Sequence, residues 1–297
     1  MSNTGNTAPV TAARAAEVAA EHGDEISQFL TVTTKGSPSA GKCSWRLVTL
    51  ASLSDEERAA VAWLVADAIM RSRCGKSPVY DEWRAAVLSG TPASAAVQRR
   101  LLAFTRSVFG TTEKAGSDDH VQGHVAEWLW YLLMRERSDD PRRIVLFEPP
   151  KFSVTEPGPD GFIVYETDGA PLVFRLWELK KHAGAGKVDK TVRDAYGQLR
   201  TEGDRYLAQL TGIHSDKDGA LGELIAQLVD LWEEADSRAG VGVGVTSGSP
   251  APKRCFSTMG TQLKKFGAPG QLEGMLFTVE DYVDLAANVR KFVWNAL

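Results

Sequence analysis

Three carboxylates and one amine stand at spacings that could support hydrolysis. The run Leu172–Lys180 reads Leu-Val-Phe-Arg-Leu-Trp-Glu-Leu-Lys. Side chains alternate faces along a strand, so Glu178 and Lys180 point the same way and Leu179 the other. An acid and an amine therefore sit side by side at the end of an apolar strand, where burying either alone costs several kcal/mol. The plain alternative is a strand end that reaches solvent. Asp160 stands in Pro157-Gly158-Pro159-Asp160-Gly161, at the mouth of the preceding hairpin strand; read alone, it is an ordinary turn aspartate. Carboxylates on neighbouring strands can share a hard divalent cation such as Mg²⁺ or Mn²⁺, which takes oxygen ligands and keeps several waters. Glu127 is the third carboxylate, in a helical run between Val125 and Trp130. It either lies on the wet edge of that helix or is held by a partner.

The elements around these residues follow from periodicity and turn chemistry. Residues 1–25, rich in Ala, Thr, Asn and Gly, read as a flexible tail with at most a frayed helix. Residues 26–110 read as a mostly helical layer. Gln28–Thr34 and Trp45–Leu50 are strand-like, Ser54 with Glu57 forms a capping box opening a helix to about Arg73, and helical patterns cover Asp81–Leu88 and Ala93–Phe109. Residues 111–297 form an α/β region. In order they give a helix at His120–Arg137, then strands at Ile144–Phe147, Phe162–Tyr165 and Leu172–Lys180, with Asp168-Gly169 as a hairpin turn. Helices at Val188–Leu210 and Gly219–Ala235, strands at Val241–Thr246 and Met275–Thr278, and a helix at Val279–Ala296 close the chain. The expected fold is α/β, a mixed central sheet flanked by helices, with a helical N-terminal layer.

Composition bounds the function. Net charge is −4 over 297 residues, so a nucleic-acid ligand needs a local basic face. Arg175–Arg205 holds eight basic residues against five acidic ones, among them Lys181, Lys187, Lys190 and Arg193. Lys253, Arg254, Lys264 and Lys265 form a second basic stretch with no acid. Solvated surface faces are the bland reading of both. Cys43, Cys74 and Cys255 are too widely spaced for a disulfide framework or a four-cysteine zinc site. No apolar run of about 18 residues and no signal-peptide pattern is found, so the expectation is a cytoplasmic protein with no membrane partner.

Taken in order, the helix glutamate, the Pro-Asp turn, the hairpin and the strand ending Glu-x-Lys resemble the PD-(D/E)XK nuclease superfamily. Its motif stands here as Pro159-Asp160 and Glu178-Leu179-Lys180, and the likeness covers roughly His120–Leu210. The resemblance implies a restriction-endonuclease-like core and metal-dependent hydrolysis of phosphodiester bonds in nucleic acid, with DNA favoured. It implies that Asp160 and Glu178 hold Mg²⁺ or Mn²⁺, that Glu127 helps bind metal, and that Lys180 orients or activates the attacking water. Gln198 in the following helix could face the site. The Gln-x-x-x-Tyr pattern of the RecB-like branch is not met, because residue 202 is Glu. A narrower likeness is to the nuclease subunit of the Hachiman antiphage defence system. It rests on Gly123 with Glu127 in a Trp- and Leu-rich helix, on Gly158-Pro-Asp-Gly-Phe162, and on Trp177-Glu-Leu-Lys-Lys-His182. That likeness implies a bacterial defence role beside a helicase subunit.

Other readings stay open on sequence. The same fold could act as a catalytically inactive binding module. His120 and His124 with Glu127 could form a zinc hydrolase face, although the His-Glu-x-x-His order is absent. Gly36-Ser-Pro-Ser-Ala-Gly41-Lys42 nearly matches a phosphate-binding loop, but Cys43 replaces the metal-contacting hydroxyl and a strand-like run follows.

Overall fold

The computed structural model describes residues 9–36, 39–50, 52–137, 140–152, 158–182, 187–248, 252 and 254–297. In chain order the elements are α1 (Ala12–Glu21), a 3-10 turn (Ile26–Phe29), β1 (Thr31–Thr34), β2 (Ser44–Leu50), α2 (Asp55–Cys74), α3 (Val79–Ser89), α4 (Ala95–Phe109) and α5 (Asp118–Glu136). Then follow β3 (Arg143–Phe147), β4 (Gly161–Glu166), β5 (Val173–His182), α6 (Val188–Ile213), α7 (Gly219–Ala226), α8 (Leu228–Glu233), β6 (Val241–Ser247), α9 (Met259–Gln262), β7 (Leu272–Val279) and α10 (Tyr282–Trp294). The class is α/β, and the chain divides into two compact units.

The first unit comprises residues 9–29, 52–121 and 283–297 and is helical. Ser54 and Glu57 form the expected capping box on α2, with Glu57 Oε2 accepting from Ser54 N at 2.7 Å. Trp63 and Trp83 stack at 5.6 Å, and Phe292 of α10 meets Trp63 edge-on. Two expectations are corrected here. Residues 12–21, within the segment read as a flexible tail, form a helix. Thr11 caps α1, and Ala12, Ala15, Val18 and Ala19 are buried. Small side chains let the two helix backbones approach, so α1 packs on α2 without the large apolar residues that a hydrophobicity reading looks for. The boundary near residue 110 also gives way. Leu30–Ala51 belongs with the sheet, and Val283–Leu297 belongs with the N-terminal helices.

The second unit comprises Leu30–Ala51 and Gln122–Tyr282 and contains one seven-stranded mixed sheet of order β1-β2-β7-β6-β5-β4-β3. The β2, β7, β6 and β5 strands run parallel; β1 and the β5-β4-β3 meander add antiparallel edges. The β6 sequence Val-Gly-Val-Gly-Val shows how the two faces differ. Val241, Val243 and Val245 join Phe174, Leu176, Val192, Leu199 and Trp232 in a core under α6 and α8. On the other face, a Cβ at Gly242 would stand 2.1 Å from Trp177 Cδ2, and one at Gly244 would stand 2.4 Å from Leu179 Cδ2. The missing side chains of β6 thus make room for those of β5, and Trp177 in turn packs 5.3 Å from Trp130 of α5.

The segment resembling a phosphate loop is strand, turn and strand. Ser39 bridges Lys42 and β2 follows, while residues 37 and 38 lie outside the described residues. Gly219–Ala235 is two helices that break at Gln227. Among the described residues, no helix is long and apolar enough to cross a membrane.

Candidate active site

The site lies where β4 begins and β5 ends. β4 pairs β5 antiparallel with Gly161 opposite Trp177, so one step outward places Asp160 opposite Glu178, and directly opposed residues share a face. A Leu179 N–H donates to Asp160 Oδ2 at 2.8 Å, which fixes the aspartate against the strand. Gly161 is required by close approach rather than by turn conformation. A Cβ there would stand 2.3 Å from Trp130 Cη2. Trp130 lies one helical turn beyond Glu127 on α5, and so the same packing brings the Glu127 end of α5 toward Asp160.

Glu178 is fully buried, and Lys180 Nζ donates to its Oε1 at 2.5 Å. The second carboxylate oxygen, Oε2, is buried and accepts no hydrogen bond. Lys180 Nζ also donates to Gln198 Oε1 at 2.9 Å, and Gln198 Nε2 donates to the Tyr206 hydroxyl at 2.9 Å. The amine is therefore held by a carboxylate on one side and by an amide anchored from α6 on the other.

Electrostatics tie these groups into one system. Burial first, and then the neighbouring Asp160 carboxylate, push the Glu178 carboxyl up to about 8 against the pull of Lys180. Asp160 is pushed up to about 6, first by desolvation and then by the charge of Glu127; the Leu179 N–H, Lys180 and Lys151 oppose the shift. The two carboxyls thus titrate as a pair, and without a cation the pair retains protons well above the ordinary carboxylate range.

Glu127 is partly exposed and acts on Asp160 through its charge. His124 Nδ1 stands 3.7 Å from Glu127 Oε2, while His124 Nε2 accepts from Trp128 Nε1 at 3.0 Å. That second bond leaves the imidazole proton on Nδ1, facing Glu127. His124 is fully buried and engaged in this way, and His120 is exposed, so the two do not form a zinc face. Among the described residues, no group of three or more His, Cys, Asp or Glu could hold a metal ion together. Asp160, Glu178 and Lys180 stand together through the contacts above, and Glu127 reaches Asp160 through its charge. Asp160 and Glu178 still fit a hard divalent cation. One oxygen is orphaned and buried, two carboxylates crowd each other, and Mg²⁺ commonly uses only one or two protein carboxylates.

The basic residues expected at a nucleic-acid face divide. Lys187, Lys190 and Arg193 are exposed in the first turns of α6. Thr191 and Gln198 mark the face of α6 toward β5, and helical phase turns Arg193 to the far side. Lys181 points to the opposite face of β5 from Lys180 and donates to Gln122 Oε1 at 2.9 Å. Lys265 lies over the Trp232 ring, and Arg254 and Lys264 are exposed; Lys253 lies outside the described residues, as do Pro157 and Gly184–Gly186.

Sequence reading missed Tyr206. It follows Gln198 by eight residues rather than the four of the expected pattern, and only the bond between them reveals it. It also missed Lys151, whose charge reaches Asp160.

No protein-family model matches the chain, and no curated protein matches it.

Proposed function

We propose that this chain is a metal-dependent nuclease that hydrolyses phosphodiester bonds in nucleic acid, with DNA the favoured substrate. The observation that supports this reading is the meeting of Asp160 and Glu178 across two strand ends, with the Lys180 amine 2.5 Å from Glu178. On this reading the sheet and helices form a restriction-endonuclease-like core. Asp160 and Glu178 would hold Mg²⁺ or Mn²⁺, and Glu127 would contribute through a bound water. When bound, the cation would acidify water and neutralise charge on the phosphate. The chain's own groups do the positioning. Leu179 N–H aims Asp160, and Gln198 with Tyr206 keeps the Lys180 amine extended toward the strand end, where it orients the nucleophile. Lys187 and Lys190, exposed at the start of α6, would contact backbone phosphate.

The likeness to the Hachiman nuclease subunit extends the proposal to antiphage defence beside a helicase. The test is incubation of the purified chain with supercoiled DNA, linear DNA and RNA in Mg²⁺, Mn²⁺ or chelator. Cleavage in metal and none in chelator is expected. Binding without cleavage in every metal condition would point instead to an inactive binding module.

A further inference from the structure

Glu127 reaches Asp160 through its charge, but it stands on α5, and the strands that carry Glu178 and Lys180 do not by themselves fix where that helix lies. Part of the fixing comes from Trp130 against Gly161, one turn beyond Glu127. The turn before Glu127 is weaker. Gly123 lies in it, and glycine is a poor helix residue because it gives up the most backbone freedom. Open space lies where its Cβ would stand, so no side-chain packing compensates at that position.

Two residues from elsewhere in the sheet unit grip that turn. The Tyr282 hydroxyl donates to Gln122 O and lies against the Ala126 N–H. Those are the two backbone groups that a regular helix joins to each other, one turn apart. Tyr282 is buried, and its hydroxyl feels the charge of Glu127, the residue after Ala126. Burial first, and then that charge, hold the phenol well above its usual range. Lys181 of β5 donates to the Gln122 side chain, to Oε1 at 2.9 Å. It follows Lys180 and lies on the opposite face, so the strand that carries Glu178 and Lys180 also holds the helix that carries Glu127. Within the turn, His124 Nδ1 stands 3.7 Å from Glu127 Oε2.

We infer that Tyr282 and Lys181 are positioning residues for the hydrolytic centre: by gripping the turn 122–126 they set where Glu127 stands relative to Asp160. This role presupposes the metal-dependent centre proposed above, in which Glu127 meets the cation through a bound water. A carboxylate acting through a water is sensitive to placement, because the groups of a working site must be held within about 0.5 Å of their productive geometry. Lys181 thereby has a task inside the protein rather than on a nucleic-acid face.

The experiment is calorimetric titration of the full chain with Mn²⁺ in the absence of nucleic acid, so that a lost phosphate contact cannot imitate a lost position. Wild type, Tyr282→Phe, Lys181→Met and Glu127→Gln are compared, together with the first two changes made in the Glu127→Gln background. Tyr282→Phe and Lys181→Met should each weaken Mn²⁺ binding at least about tenfold, the usual loss when a partner outside the ligands is removed. On charge alone, removing a lysine near a cation site would tighten binding, so weakening by Lys181→Met reports position. In the Glu127→Gln background the same two changes should alter binding by less than about twofold, because residues that act through Glu127 have nothing left to position. Lys181→Met, at a partly exposed position, keeps the test open should Tyr282→Phe not fold. Mn²⁺ binding unchanged in the single variants overturns the positioning role and leaves the metal centre standing. Equal weakening with and without the Glu127 carboxylate also overturns it, since the effect then passes through the fold at large. A wild type that binds no Mn²⁺ overturns the metal centre and this role with it.

Discussion

Lys180→Met gives the most informative perturbation of the proposed centre, because rate and stability should respond on different pH scales. A positioned acid–base group contributes roughly 10²–10⁴-fold to a rate, so nicking of supercoiled DNA in Mg²⁺ should fall at least about a hundredfold. The stability effect follows from Glu178. Its carboxyl is buried and sits near 8 with Lys180 present, against 4.5 ordinarily. A carboxyl raised on folding stabilises the fold below its unfolded pKa, and that stabilisation is lost as pH rises through the folded value. Removing Lys180 raises Glu178 further, so the variant keeps losing stability above pH 8, where the wild type levels off. At pH 6 Glu178 is protonated in both proteins, and the difference between their unfolding temperatures should be smallest. At pH 9 the wild type has lost the Glu178 proton and the variant resists losing it, so the extra destabilisation is bounded by the one pH unit above 8, about 1.4 kcal/mol. Thermal melts at the two pH values, with nicking measured in parallel, read both effects. Cleavage within tenfold of wild type, or an unfolding temperature equally depressed at pH 6 and pH 9, would refute the reasoning.

Further outcomes follow from the same geometry. In chelator the wild type should lose stability as pH rises from about 5 to 8.5, by up to several kcal/mol, because both carboxyls are raised on folding; Glu178→Gln should flatten that slope. Mn²⁺ should raise the unfolding temperature more at pH 8 than at pH 5.5, since it competes with the shared protons, and Glu178→Gln should abolish that rise. Gln198→Ala should lower the cleavage rate with little effect on the unfolding temperature, and an unchanged rate would deny the amide its hold on Lys180. Gly242→Ala should destabilise by about 1–3 kcal/mol, because its Cβ would overlap Trp177; an unchanged melting curve would contradict the packing described for that face.

Much of the sheet could be read from local pattern. The alternation in β5 placed Glu178 and Lys180 on one face because strand periodicity is rigid, and the Val-Gly repeat marked β6 as a buried strand. The position of β1 and β2 could not be read. They join the sheet beside β7, more than 220 residues away in sequence, and only tertiary packing selects that neighbour. α1 was hidden because alanine contributes little to hydrophobicity yet packs closely. At the centre, Asp160 and Glu178 were legible as types, but the reason they meet was not. It lies in the bulk of Trp130 against Gly161 and in the Leu179 N–H, a backbone donor inside the motif whose bond to Asp160 no residue type announces. The buried ion pairs of Glu273 with Arg142 and Arg175 had no sequence signal, because the three residues are brought together from three distant strands or strand ends.

The most direct test is cleavage of supercoiled DNA by the wild-type chain and by Asp160→Asn, side by side in Mn²⁺ and in chelator. Asp160→Asn keeps the side-chain volume and an oxygen to accept the Leu179 N–H but removes the charge that would hold a cation. Cleavage by the wild type in Mn²⁺ alone, with none by the variant, is the expected result. Equal cleavage by both proteins, or none by the wild type, would contradict the assignment of a hydrolytic centre to Asp160, Glu178 and Lys180.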